Sequence, residues 1–111
     1  MKLDRNVNSD GRGKYALLKL RALDKASGKE LAAAGDAMST LERLGILDWG
    51  NIGTESEFMV MRIKDKYAYK GLMGYLRAVT DDDEPDFEYA QDILEMAKRA
   101  GPFSPWCKKP D

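Results

Sequence analysis

The side chains able to do chemistry in this chain are carboxylates, lysines, arginines, tyrosines and one thiol. There is no histidine, and Cys107 is the single cysteine. Histidine-based triads, histidine-bearing zinc sites and internal disulfides are therefore excluded. Cys107 sits in Ser104-Pro105-Trp106-Cys107-Lys108-Lys109. The two lysines favour a thiolate, but no imidazole is available as its base, so an inert thiol is expected. General acid–base work can use paired carboxylates or Tyr with Lys, and no spacing singles out such a pair. Gly11-Arg12-Gly13-Lys14 invites a phosphate-loop reading. A Walker A loop needs G-x-x-x-x-G-K-[ST] between a strand and a helix. Here the leading glycine is missing and Tyr15 stands in place of Ser or Thr. A flexible turn is expected, with Arg5, Arg12 and Lys14 offering at most a weak anion contact.

Charge is placed in blocks. The net charge is −1, from 18 basic and 19 acidic residues. Residues 1–30 carry +4, 31–60 carry −4, 61–80 carry +4, 81–98 carry −7 and 99–111 carry +2. This alternation predicts one acidic and one basic surface. In the acidic block, Asp81-Asp82-Asp83-Glu84-Pro85-Asp86 resembles a calcium loop only loosely. The glycine an EF-hand requires is absent, and Pro85 stands where the loop should turn. Carboxylates at a helix N-terminus complement the macrodipole, which accounts for the cluster without a metal. With Glu88, Asp92 and Glu95 they also form a band able to face a basic protein surface, mimicking nucleic-acid charge. In the basic block, Arg62, Lys64, Lys66 and Lys70 are interleaved with Tyr67 and Tyr69. Cations can hold a phosphate backbone while aromatic rings stack on bases. A Lys- and Arg-protected sheet edge is the plainer explanation.

These residues need elements to position them. At 111 residues, 43% hydrophobic and 33% charged, the chain fits one soluble domain. No stretch approaches the roughly 18 apolar residues of a membrane span. Met1-Lys2-Leu3-Asp4-Arg5-Asn6 lacks the apolar stretch of a secretory leader, so a reducing cytoplasm is expected. Asn6, Asn8, Ser9, Asp10, Gly11 and Gly13 make residues 1–13 an irregular arm. Lys14–Leu23 alternates with period two and reads as a strand, with a helix as the alternative. Ser27 and Glu30 match a capping box. Leu31, Ala34, Met38 and Leu41 then recur at helical spacing up to Gly45, predicting a helix from Lys29 to Leu44. Residues 46–50 and 57–64 read as paired strands across a turn-rich linker. Asp65 is a candidate cap for a helix with the stripe Ala68, Leu72, Tyr75, Leu76 and Val79. Pro85 opens a last helix whose buried face is Ala90, Ile93, Leu94 and Ala97, stopped by Gly101-Pro102. The expected fold is a single α+β domain over 14–101, in the order β-α-β-β-α-α. Its antiparallel sheet carries helices mainly on one face. Residues 102–111 form an irregular tail in which Phe103 and Trp106 can dock.

Four segments resemble small proteins encoded by bacteriophages and prophages. They are Lys2–Asn6, Gly11–Arg21, Glu57–Ala68 and Cys107–Asp111, together spread over most of the chain. The resemblance implies a bacterial cytoplasm during infection and action by binding host or phage machinery, for instance blocking a defence complex. It carries over no catalytic or binding residue. The leading expectation is thus a non-enzymatic accessory protein, monomeric or homodimeric. It needs no cofactor or metal, and binds a macromolecular partner through Asp81, Asp82, Asp83, Glu84, Asp86, Glu88, Asp92 and Glu95. A nucleic-acid module using Arg62, Lys64, Lys66 and Lys70 is the first alternative. A small-ligand site or enzyme pocket assembled only in the fold is the second.

Overall fold

The computed structural model describes residues 1–8 and 10–110, with Arg5 described by its backbone alone. Ser9 and the Arg5 side chain, which figure in the arm and anion readings, lie outside the described residues. The chain divides into two units. One comprises Met1–Ala16 with Val60–Asp111, the other Leu17–Met59.

In the first unit, two helices make the core: α3 (Ala68–Thr80) and α4 (Phe87–Ala97). Ala68, Leu72, Ala90, Ile93, Ala97 and Ala100 are buried. Four of the six are alanines, which lets the two backbones approach closely, and among the described residues Ile93 alone fills volume with a large, fully buried side chain. Leu3, Ile63, Met73, Leu76 and Val79 pack around this centre. Tyr75 and Tyr89 close one flank. Their hydroxyls lie 2.9 Å apart, and the rings meet edge to face at 5.9 Å. Burial, then the hydrogen bond shared with Tyr75, pushes the Tyr89 phenol up to about 12.

The second unit holds α1 (Leu20–Leu23) and α2 (Gly28–Arg43). The α2 C-terminus is a Schellman motif. Gly45, at φ +74°, donates its N–H to Glu42, and Ile46 donates to Leu41 at 2.9 Å. No residue of this unit is buried.

The expected α+β architecture is not formed. Among the described residues there is no sheet, only an isolated parallel bridge between Asp65 and Lys108. The reasons are local. Residues 14–23 alternate in polarity, but Leu, Ala, Lys and Arg are helix formers without β-branching, and their last four residues coil into α1. The expected hairpin of 46–50 and 57–64 is replaced by consecutive turns. Gly50 adopts φ +58° and donates to the Asp48 carboxylate at 2.9 Å. Gly53 donates to Glu57 at 2.8 Å, and Thr54 closes on the Asn51 carbonyl. These bonds consume the groups a ladder would need. The caps differ as well. Ser27 accepts no capping bond. The Asp65 carboxylate accepts from the Arg62 N–H while Tyr67 occupies the cap of α3. Asp86, not Pro85, starts α4, its carboxylate accepting from the Tyr89 N–H at 3.0 Å.

Met1 and Leu3, at the start of the arm, lie against α4. A 3-10 turn spans Asp4–Asn6. Leu3 donates its N–H to Asp92 on α4 at 3.0 Å. The Asp4 carboxylate accepts from the Lys14 N–H at 2.6 Å, and a Cβ on Gly13 would collide with that same carboxylate. The backbone that invited a phosphate-loop reading thus holds a carboxylate of its own chain.

Gly101 is the hinge of the tail. At φ +55° it takes a left-handed conformation, and a Cβ there would sit 3.2 Å from the Lys66 carbonyl and from Tyr69 Cβ. Gly101→Ala is expected to cost about 1–3 kcal/mol through φ strain and crowding. Urea denaturation followed by circular dichroism measures it, and an unchanged midpoint would contradict the tight fit.

Candidate nucleic-acid interface

The turn at Gly101 reverses the chain after α4 and returns it beside residues 62–66. Three backbone bonds hold the two segments together. Gly101 donates to Ile63 at 2.8 Å, Lys66 donates to Lys108 at 2.8 Å, and Lys108 donates to Lys64 at 3.2 Å. The extended segment is thereby pinned along the tail, and a groove of about 540 Å³ opens between them. Arg62 and Lys64 form one wall, Lys98 and Arg99 at the end of α4 another, and Phe103 and Trp106 the third.

The lining is cationic and aromatic. Arg62 and Lys64 take part in no ion pair among the described residues. Lys98 reaches the Glu95 carboxylate at 3.1 Å, and Arg99 donates to the Glu95 carbonyl at 3.0 Å. The latter contact aims the guanidinium from the helix C-terminus, where a cation complements the dipole. Phe103 is braced edge-on against Tyr69, ring centres 5.0 Å apart. Trp106 stands 73% exposed, its backbone N–H held by the Ser104 hydroxyl at 3.2 Å. An exposed indole on a short pinned tail is a stacking platform with little side-chain freedom to lose.

Of the basic residues singled out in the sequence, Arg62 and Lys64 line the groove while Lys66 and Lys70 do not. The Lys66 ammonium lies 6.0 Å from the Tyr67 ring centre instead. Lys98, Arg99, Phe103 and Trp106 were not grouped with them by sequence reasoning. The available signal was Gly101-Pro102, a chain reversal that returns the tail toward residues 62–64.

The acidic residues fall into two sets. Asp86, Glu88 and Asp92 are engaged by the chain's own arm: the Met1 ammonium lies 2.9 Å from Asp86 and 3.6 Å from Glu88, and Asp92 accepts from Leu3. Glu95 is shared between Gln91 and Lys98. Asp81, Asp82, Asp83 and Glu84 are exposed, and no ion pair among the described residues involves them. Asp82 accepts from the Glu84 N–H at 3.3 Å, a local turn. Among the described residues no group of three or more carboxylate or thiol side chains converges as a metal site. No helix there is long and apolar enough to cross a membrane.

Asp86 links the arm to the helix. The backbone N–H of Tyr89, then the Met1 ammonium, holds its carboxyl below the ordinary value of 3.8. A carboxyl with a lowered folded-state pKa stabilises the fold above its ordinary pKa, and that contribution is lost as pH falls through the lowered value. Asp86→Ala is therefore expected to lower the thermal midpoint at neutral pH. The gap to the parent should close on acidification below the ordinary carboxylate range. A gap independent of pH would show that the charge contributes nothing.

Comparison of the chain with protein-family models, with curated proteins and with solved structures gives no match.

Proposed function

We propose that this chain binds single-stranded nucleic acid in the groove between residues 62–64, the end of α4 and the tail. One observation carries the reading: Arg62 and Lys64, free of ion pairs, face a groove whose other walls present Lys98, Arg99, Phe103 and Trp106. Cations spaced along a groove track phosphates, and an exposed indole stacks any base. Stacking on an indole uses the π-face that every base has, so binding is sequence-tolerant. The net charge of −1 makes the attraction local. The acidic loop 81–84 and the α4 band disfavour the same polyanion elsewhere.

Fluorescence anisotropy of a labelled oligothymidine, titrated with the protein at stepped salt, tests this. With two to four phosphates neutralised, log affinity should fall against log salt with a slope of about −1.4 to −2.8. No binding at the lowest salt, or a slope near zero, overturns the reading.

A second reading has its own support in the exposed, ion-pair-free carboxylates of Asp81, Asp82, Asp83 and Glu84. It is a protein partner with a basic face, for which the phage-protein resemblance of several segments suggests a host or phage component in a bacterial cytoplasm. Affinity capture from a nuclease-treated bacterial lysate tests it. A stoichiometric protein lost when these four are replaced by Asn and Gln supports it, and retention on the replaced chain rejects it.

A further inference from the structure

The four cations that line the groove are not equivalent. Arg62, Lys64 and Arg99 take part in no ion pair among the described residues. Arg99 is held by the Glu95 carbonyl, a neutral acceptor that aims the guanidinium and leaves its charge whole. Lys98 differs. Its ammonium lies 3.1 Å from Glu95 Oε1, and Glu95 is not one of the residues that line the groove. One of the four charges is therefore offset by a carboxylate standing outside the wall.

That carboxylate is itself braced. Glu95 Oε1 also accepts from the Gln91 side-chain amide, one turn earlier on α4, at 2.8 Å. Gln91, Glu95 and Lys98 follow at intervals of four and three, which makes them neighbours on one helix face. A carboxylate in the last turn opposes the negative end of the helix dipole, so the macrodipole does not account for Glu95. The Lys98 and Glu95 side chains are 60% and 49% exposed. A pair so well solvated is weak, and an incoming anion can compete for its ammonium.

We propose that Glu95 restrains binding in the groove by withholding Lys98 from phosphate, an inference that rests on the reading of the groove as a polyanion site. Arg62, Lys64 and Arg99 stand ready, while Lys98 stays on Glu95 and neutralises no phosphate of the bound strand. Glu95 thus holds the affinity below what four cations would give. Removing its charge frees the fourth cation. Arg99 keeps its aim, because its contact is to the backbone carbonyl of the same residue and not to the carboxylate.

Glu95→Gln in the full chain tests this, since it keeps the size of the side chain and an acceptor for Gln91 and removes the charge. Anisotropy titration of a labelled oligothymidine should show affinity raised about two- to fivefold at low salt. The dependence of log affinity on log salt should steepen by about 0.7, one further phosphate. Lys98→Ala separates this effect from a general change in net charge. In the parent it should alter neither quantity appreciably, and in the Glu95→Gln chain it should abolish both gains. No gain from Glu95→Gln, a gain that survives Lys98→Ala, or an equal loss from Lys98→Ala in both chains would each overturn the proposal. Calorimetric titration with inorganic tripolyphosphate distinguishes its failure from that of the nucleic-acid reading. If oligothymidine binds no chain, yet Glu95→Gln binds tripolyphosphate more tightly and only with Lys98 present, the restraint stands and the nucleic-acid reading falls. Failure of every chain to bind either probe overturns both.

Discussion

A chain carrying Trp106→Ala is expected to hold single-stranded DNA about 5- to 150-fold more weakly than its parent, the range that corresponds to losing one stacked base. The indole is 73% exposed, so the substitution removes no core contact and should leave the thermal midpoint unchanged. That separation of binding from stability makes the variant informative. Arg62→Ala with Lys64→Ala should act differently. Removing two phosphate contacts should flatten the dependence of log affinity on log salt by about 1.4, whereas Trp106→Ala should leave the slope intact. Lys70→Ala, a change outside the groove, serves as the control and should alter neither quantity appreciably. Anisotropy titrations at three salt concentrations distinguish all four chains. Equal slopes for the parent and the double variant would place the phosphate contacts elsewhere.

The second large effect is on stability. Ile93→Ala is expected to cost about 2–5 kcal/mol, since the removed atoms leave a void that flanking side chains fill only in part. In an ordinary domain this is a fraction of the 5–15 kcal/mol available. Here Ile93 is, among the described residues, the one large side chain that is fully buried, among alanines that cannot rearrange to reach it. The loss should lower the thermal midpoint by about 10–30 °C, with the variant partly unfolded at ambient temperature. Ile93→Val should cost only about 0.5–1.5 kcal/mol. Phe87→Ala, at a ring 71% exposed, should fall within about 0.5 kcal/mol of the parent. Chemical denaturation of the three variants establishes the order. A small effect for Ile93→Ala would mean that the interface of α3 and α4 is not the stabilising core.

What could be read in the sequence follows how local its cause is. The stripe Leu31, Ala34, Met38, Leu41 with Gly45 after it placed α2 within a residue at each end, because periodicity and a glycine C-terminus act within a few turns. The buried positions Ala68, Leu72, Ala90, Ile93 and Ala97 were visible for the same reason. The strands were misread because alternation alone does not make a strand. Leu17 to Leu23 alternates without a β-branched residue, and the linker 48–57 satisfies its backbone with its own Asp, Thr and Glu side chains. The groove was half visible. Arg62 and Lys64 stood out as cations, but Lys98 and Arg99 read as ordinary helix-end charges, and Trp106 as a docking anchor. Their meeting depends on Gly101 turning the chain and on Lys108 bonding to Lys64 and Lys66 across more than forty residues, a separation that no local pattern records. Asp86, Glu88 and Asp92 stood out as carboxylates at the start of and along the last helix, while their engagement by Met1 and Leu3 is a long-range contact of the same kind.

The hydrogen bond from Leu3 to Asp92 joins residues 89 positions apart, and this has a consequence for biosynthesis. The arm is synthesised well before the helix face it docks on. At about 5–20 residues per second, the nascent arm waits roughly 5–20 s for its acceptor. During that time Leu3 and the turn at Asp4 are accessible to proteases and chaperones. The core of the first unit cannot close until α4 has cleared the exit tunnel, whereas the intervening residues 17–59 emerge earlier as a contiguous stretch whose α2 is free to form beforehand.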